Sequence, residues 1–167
     1  MPLSPPTKLQ PEHRVEGFDC GQSALNDWLG RYALPNQQAS AATTFVVCDG
    51  EAVVGYYSLA VGAVDHTQAP PRVKKGLARH PIPVMVLARL AVDVRYQGRK
   101  IGQGLLKDAL LRTVQLAEQA GIRAILVHAK DTEAASFYKR FDFEPSPLDP
   151  LQLLLLVKDA RKAVGPP

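Results

Sequence analysis

The residues Gln97-Gly98-Arg99-Lys100-Ile101-Gly102-Gln103-Gly104 lie between an apolar strand-like run and an amphipathic helical pattern. Amide N–H groups at a helix start have no intrahelical acceptor and carry partial positive charge, which suits a phosphate. Glycines allow the tight turn and the close approach of backbone to an anion. Arg99 and Lys100 put two cations beside it. The chemistry open to this segment is therefore the binding of a phosphate or diphosphate, and its alternative is a purely structural strand–helix turn. A Walker loop is excluded because no Gly-Lys-Ser/Thr follows, and a dinucleotide fingerprint fits poorly because Gly-x-Gly-x-x-Gly is missing at the turn.

Other reactive side chains are dispersed. His13, His66, His80 and His128 show no metal-ligand spacing, and His128 falls inside an apolar strand pattern, as a core or supporting histidine would. Cys20 and Cys48 are far apart, with no Cys-x-x-Cys, and read as free thiols. No metal site is expected. Asp93 and Glu133 are the carboxylates considered as general bases, each equally at home in a turn or at a helix start. Tyr138 shares a helical face with Ala134 and Phe141, the pattern of a core aromatic.

Positioning these groups requires alternating helices and strands. Residues 23–38 predict a helix with Ala24, Leu25, Trp28, Leu29 and Tyr32 on one face and Ser23 as its cap. Residues 43–48 and 52–64 predict a β-hairpin turning at Asp49-Gly50. Residues 66–81 read as a basic loop holding Arg72, Lys74, Lys75 and Arg79, with room for a short helix. Residues 84–92 are apolar on both faces apart from Arg89, as in a central strand. A helix follows over 102–120, burying Leu105, Leu106, Ala109, Leu110, Thr113, Val114 and Ala117 and stopped by a left-handed Gly121. Residues 123–129 are a strand, 131–140 an amphipathic helix and 151–157 a final strand. The fold class is α/β (α+β), a mixed sheet with helices on both faces.

At 167 residues the chain fits a single domain spanning 1–167, with ends 1–6 and 162–167 frayed. No apolar run approaches the roughly 20 residues of a membrane helix, and the start lacks a signal-peptide pattern. A cytoplasmic protein is expected. The net charge of +4 fits either a solvated basic face or a polyanionic partner.

The arrangement Arg89-Leu90-Ala91-Val92-Asp93, then Gln97-Gly98-Arg99-Lys100-Ile101-Gly102, then Phe137-Tyr138 resembles the GNAT N-acetyltransferases, whose signature is Gln/Arg-x-x-Gly-x-Gly/Ala. Lys100 stands at the first glycine of that signature, and Asp142 stands where many relatives have glycine. The resemblance implies the GNAT fold, with a mostly antiparallel sheet, and acetyl-CoA as cofactor. Leu90, Ala91 and Val92 would hold the pantetheine arm through their backbone. The amides of Gln97, Gly98, Arg99, Lys100, Ile101, Gly102, Gln103 and Gly104 would hold the diphosphate, and Tyr138 would be the general acid.

Phe18-Asp19-Cys20-Gly21, Leu25-x-x-Trp28-Leu29, Gly55-Tyr56-Tyr57-Ser58-Leu59 and Ala134-x-x-Phe137-Tyr138 are similar to the toxin enzymes of type II toxin–antitoxin pairs. That likeness implies acetylation of the amino group of aminoacyl-tRNA and a block of translation. It also implies a ribbon-helix-helix antitoxin and a homodimer. Arg31, Arg72, Lys74, Lys75, Arg79, Lys139 and Arg140 are then candidate tRNA phosphate contacts. The lack of an evident strong base agrees with an α-amine acceptor. With a pKa near 7.7–8.0, roughly a tenth or more of an α-amine is neutral at pH 7, against well under about one part in a thousand for lysine. The rival expectations are a GNAT enzyme for a small amine or a protein N-terminus, and a non-catalytic CoA-binding domain.

Overall fold

The computed structural model describes residues 3–165. In chain order the elements are β1 (Thr7–Lys8), α1 (Ser23–Asp27), a π-helical turn (Trp28–Tyr32), α2 (Ala33–Gln38), β2 (Thr43–Asp49), β3 (Ala52–Val64), a 3-10 turn (His66–Gln68) and α3 (Pro71–Lys74). Then come β4 (Ile82–Val92), a second 3-10 turn (Val94–Tyr96), α4 (Ile101–Ala117), β5 (Ala124–His128), α5 (Thr132–Lys139), β6 (Glu144–Pro145), β7 (Gln152–Leu156) and α6 (Val157–Val164). The strands form a seven-stranded sheet in the order β1-β2-β3-β4-β5-β7-β6. β1–β2, β2–β3, β5–β7 and β6–β7 are antiparallel, whereas β4 and β5 run parallel from Val84 opposite Ala124 to Leu87 opposite Val127. The chain divides into two compact units, one from residues up to Ala60 together with Ala88–Ala109, the other from Val61–Leu87 and the residues from Leu110 on.

In the first unit the helix predicted over 23–38 forms, with two differences. Ser23 is its first helical residue; Gln22 takes the cap position and no side-chain oxygen caps the helix. Instead Asn26 accepts the Cys20 N–H at 2.9 Å and donates to Asp19 at 3.1 Å, fastening the chain just before the helix. The second difference is the π-helical turn, just ahead of Pro35. Proline has no N–H and crowds the carbonyl four residues back, and one wider turn accommodates it. The extra residue rotates the apolar face: Leu29 and Ala33 are buried, while Tyr32 is 51% exposed. Leu29, Ala33, Phe18, Val46, Val53, Tyr56 and Ala91 share one core. Trp28 stacks on Tyr56 (6.1 Å), and the Tyr56 hydroxyl donates to the Leu25 carbonyl at 2.7 Å. The hairpin turns at Gly50-Glu51, with Gly50 at φ 65, a left-handed value that glycine adopts without a Cβ penalty.

In the second unit Val84, Ala124, Leu126, Leu154 and Leu156 pack with Val64, Val73 and Ile82. The β4–β5–β7 strands are apolar on successive residues, as strands covered on both faces are. Arg123 donates to the carbonyls of Val73 (2.8 Å) and Lys75 (3.0 Å), clamping the end of α3. The predicted helix over 102–120 ends at Ala117, and Gly121 is not left-handed; the following amides close short turns back to Gln115 and Leu116 instead. His128 is exposed at the end of β5, not in the core, because the run of residues buried on both faces, Ala124 to Val127, ends one residue before it.

Three short elements escaped the sequence reading: β1, β6 and α6. The expected fraying is also corrected. The Ser4 N–H donates to the Cys48 carbonyl (2.9 Å) and its hydroxyl accepts the Cys48 N–H (3.0 Å), while residues 162–164 are helical in α6. Positions 1, 2, 166 and 167 lie outside the described residues. Among the described residues, no helix is long and apolar enough to cross a membrane.

Candidate cofactor site and the tyrosine helix

The end of β4 and the start of α4 are joined by a loop built around Asp93. Its carboxylate is fully buried and accepts four N–H groups: the amides of Asp19 (3.1 Å) and Arg95 (2.9 Å), and Nε and Nη2 of Arg95 (3.0 Å each). The Arg95 guanidinium holds the Asp93 carboxyl well below the usual range, down to about 2, against the upward push of burial. A group that acidic is a poor proton acceptor at neutral pH, so Asp93 acts as a strut rather than a general base. The Tyr96 hydroxyl donates to Asp49 at 2.6 Å, and the Gln97 side-chain amide donates to the Val92 carbonyl at 2.9 Å. The sequence marked Gln97 only through its amide. Its side chain also ties the loop to the strand.

The helix then opens. The Gly104 N–H is bonded to the Lys100 carbonyl (3.1 Å), which leaves the amides of Ile101, Gly102 and Gln103 ahead of the intrahelical ladder. A Cβ at Gly102 would touch Val92 and Leu90 at 3.8 and 3.9 Å, so the first helical turn rests on that face of the strand. Below it, a Cβ at Gly55 of β3 would come within 3.2 Å of both Ile101 and Leu105, tighter than ordinary packing. Gly55 is thus the residue that lets α4 sit down on the sheet, a role that only three-dimensional neighbours reveal.

Gly98 has φ 83, and Lys100, the departure from the GNAT signature, has φ 62. The turn that glycine normally makes is retained, with lysine in the left-handed region. Asp142, the other departure, behaves alike at φ 70, and aspartate tolerates that region better than most residues. For Lys100 the strain is about 1–2 kcal/mol. Glycine relieves it but adds about 0.5–1 kcal/mol of unfolded-state freedom. Lys100→Gly should therefore leave stability within about 1 kcal/mol of the parent, whereas Lys100→Val, β-branched, should lower it; thermal unfolding of the two variants checks this. Arg99 lies over the Tyr96 ring at 5.0 Å. Free first-turn amides, two left-handed residues and two exposed cations form a donor set that fits a diphosphate.

Tyr138 lies on α5, whose cap is Asp131, accepting the Ala134 N–H at 2.8 Å. Its ring is buried, edge-on to Phe143 (5.5 Å) and Phe137 (5.2 Å). No enclosed side-chain polar atom lacks a partner among the described residues, and the Tyr138 hydroxyl makes no hydrogen bond among them. The hydroxyl is therefore where solvent or a ligand reaches this side chain. Burial pushes the phenol up to about 12, so it is a neutral proton donor at physiological pH. Glu133 is exposed in the first turn of the same helix.

The cations marked as phosphate contacts fall into different settings. Arg72 is engaged by Asp159 (2.7 and 3.3 Å) and Glu144 (3.2 Å), so its charge is already balanced. Arg140 lies over the Phe137 ring at 5.6 Å. Arg31, Lys75, Arg79, Lys139 and Arg140 are exposed, and Lys74 is half-buried. No cluster of His, Cys, Asp and Glu able to hold a metal occurs among the described residues.

A turn of free amides at the end of a central strand, in a mixed sheet of this order, is the arrangement of an acetyltransferase fold. The acetyltransferase (GNAT) domain family model matches residues 40–145. A tRNA-acetylating toxin of Mycobacterium tuberculosis is 48% identical over 162 residues, covering 97% of each chain. The chain belongs to the GNAT acetyltransferase family and uses acetyl-CoA. Among solved structures, AtaT complexed with acetyl-methionyl-tRNAfMet superimposes with a TM-score of 0.90 at 24% identity, over 98% of this chain and 100% of that one. AtaTR bound with AcCoA gives a TM-score of 0.84 at 25% identity, over 98% of each chain.

Proposed function

We propose that this chain is a cytoplasmic toxin that transfers the acetyl group of acetyl-CoA to the α-amino group of aminoacyl-tRNA and so inhibits translation. The observation that carries this reading is the near full-length likeness to a tRNA-acetylating toxin at 48% identity. The complex of the structural neighbour AtaT with an acetylated aminoacyl-tRNA supports it, as does the positive net charge.

Acetyl-CoA supplies an activated acetyl thioester. On this reading the amides from Gln97 to Gly104 hold its diphosphate and the main chain of Leu90, Ala91 and Val92 lines its pantetheine arm. Tyr138, a neutral phenol with its hydroxyl reachable, gives its proton to the departing sulfur. With Asp93 committed to Arg95, no tuned base is assigned, and an α-amine, already partly neutral at pH 7, needs none. Among the cations, Arg31, Lys74, Lys75, Arg79, Lys139 and Arg140 are the phosphate contacts we propose, with Arg72 held back by its two carboxylates. A ribbon-helix-helix antitoxin and a homodimeric assembly complete the proposal.

The test is incubation with labelled acetyl-CoA and either charged or deacylated tRNA. Label should enter only the charged tRNA and leave with the amino acid when the ester is cleaved by mild base. tRNA binding should weaken steeply with salt. Label on lysine side chains or small amines at comparable rates, or salt-insensitive binding, would overturn the reading.

A further inference from the structure

The basic loop between β3 and β4 folds into more than a row of charges. A cavity of about 500 Å³ is lined by His66, Lys74, Arg79 and His80, together with Asp65 and Thr67. Lys74 and Arg79 form no ion pair among the described residues, in contrast to Arg72 two positions before Lys74, which two carboxylates hold. The frame beneath is fixed. Val73 is buried, Arg123 clamps the carbonyls of Val73 and Lys75, and the Gln68 and His80 amides close turns onto Asp65 (2.9 Å) and Ala78 (2.8 Å). Two unpaired cations, two imidazoles and a hydroxyl facing one small space are the donors an oxyanion needs.

We infer that this cavity is a phosphate site, and that its two histidines make its affinity rise as the pH falls. Lys74 and Arg79 against Asp65 leave a fixed charge of +1 when both imidazoles are neutral and +3 when both are protonated. Imidazole is the side chain that gains its proton between about pH 8 and pH 5. A bound anion favours the protonated form, so binding takes up protons and tightens toward acid. His128 lines the adjoining cavity, which shares Asp65 and Pro81 as a wall, and it adds a further titratable group beside this one. A diester of RNA and a small free oxyanion share this chemistry, and the two probes below distinguish them. Only its assignment to tRNA rests on the function proposed above.

The experiment uses the whole chain with two probes, deacylated tRNA and sulfate, whose charges stay constant between pH 8.0 and pH 6.0. At fixed ionic strength the parent protein should bind tRNA on the order of tenfold more tightly at pH 6.0, as added charges facing phosphate imply. The variant carrying His66→Gln and His80→Gln should lose most of that pH response while keeping its melting temperature and its acetyl-CoA affinity. Arg79→Ala should weaken binding at both pH values and lower the salt slope by about 1. Sulfate should shift the ring NMR signals of His66 and His80 in the parent. If the double variant keeps the full pH response and sulfate leaves those signals unmoved, the inference is overturned and tRNA acetylation is untouched. If tRNA does not bind at all but sulfate moves both rings, the site stands with a small anion as ligand and the tRNA reading falls.

Discussion

Tyr138→Phe lowers kcat for acetyl transfer by about 10²–10⁴-fold, the usual worth of a general acid, while the dissociation constant of acetyl-CoA stays within about twofold. The substitution is clean because phenylalanine keeps the ring that packs edge-on to Phe143 and Phe137 and removes only a hydroxyl that holds no hydrogen bond among the described residues. Its melting temperature should match the parent's. The pH profile gives an independent check. A phenol pushed up to about 12 stays protonated to beyond pH 10, so the acid form is present throughout the working range. Activity should rise between about pH 6 and pH 8 as the acceptor α-amine loses its proton, and should show no fall below pH 10 that Tyr138→Phe abolishes. Single-turnover release of thiol, followed with acetyl-CoA and aminoacyl-tRNA, measures the loss. A variant with parental kcat would remove Tyr138 from the chemistry.

The elements that carry this site were legible because they depend on local pattern. Residues 84–92 are apolar on every position but one, the helix after them has its buried stripe at Leu105, Leu106, Ala109, Leu110 and Thr113, and Asp131 caps the tyrosine helix. What stayed hidden depends on partners distant in sequence. Nothing around Gly55 announces that Ile101 and Leu105 will lie where its side chain would be. Nothing around Arg72 announces Asp159, 87 positions away. The two departures from the family pattern were ambiguous for a related reason: residue type restricts φ without fixing it, and only the folded turn shows Lys100 and Asp142 in the left-handed region. The exposed Tyr32 follows from the π-helical turn, whose extra residue shifts a face that a uniform 3.6-residue period puts elsewhere.

Asp93→Ala should do the greatest structural damage of any single change in the cofactor loop, because it removes one acceptor from four donors. Arg95 is 67% exposed and returns to water on losing its partner, so the ion pair itself accounts for little of the loss. The backbone amides are different. The Asp19 and Arg95 N–H groups lose an acceptor inside the fold, at about 1–3 kcal/mol each when left unpaired, and the expected destabilisation is about 2–4 kcal/mol. The same amides fix how the chain leaves β4, so acetyl-CoA affinity should fall tenfold or more along with stability. Asp93→Asn, which keeps one acceptor oxygen but turns an NH₂ toward Arg95, should fall between Asp93→Ala and the parent. Acid unfolding supplies the sign. The folded carboxyl titrates at about 2, below the roughly 3.9 of an unfolded aspartate, so its stabilisation is complete above about pH 4 and is lost as the pH drops toward 2. Asp93→Asn should therefore be less stable than the parent at pH 7, with the gap closing between pH 4 and pH 2. A variant as stable as the parent at neutral pH, with unchanged acetyl-CoA affinity, would mean that the loop is held by Tyr96–Asp49 and Gln97–Val92 alone, and that the buried carboxylate is dispensable to the diphosphate turn.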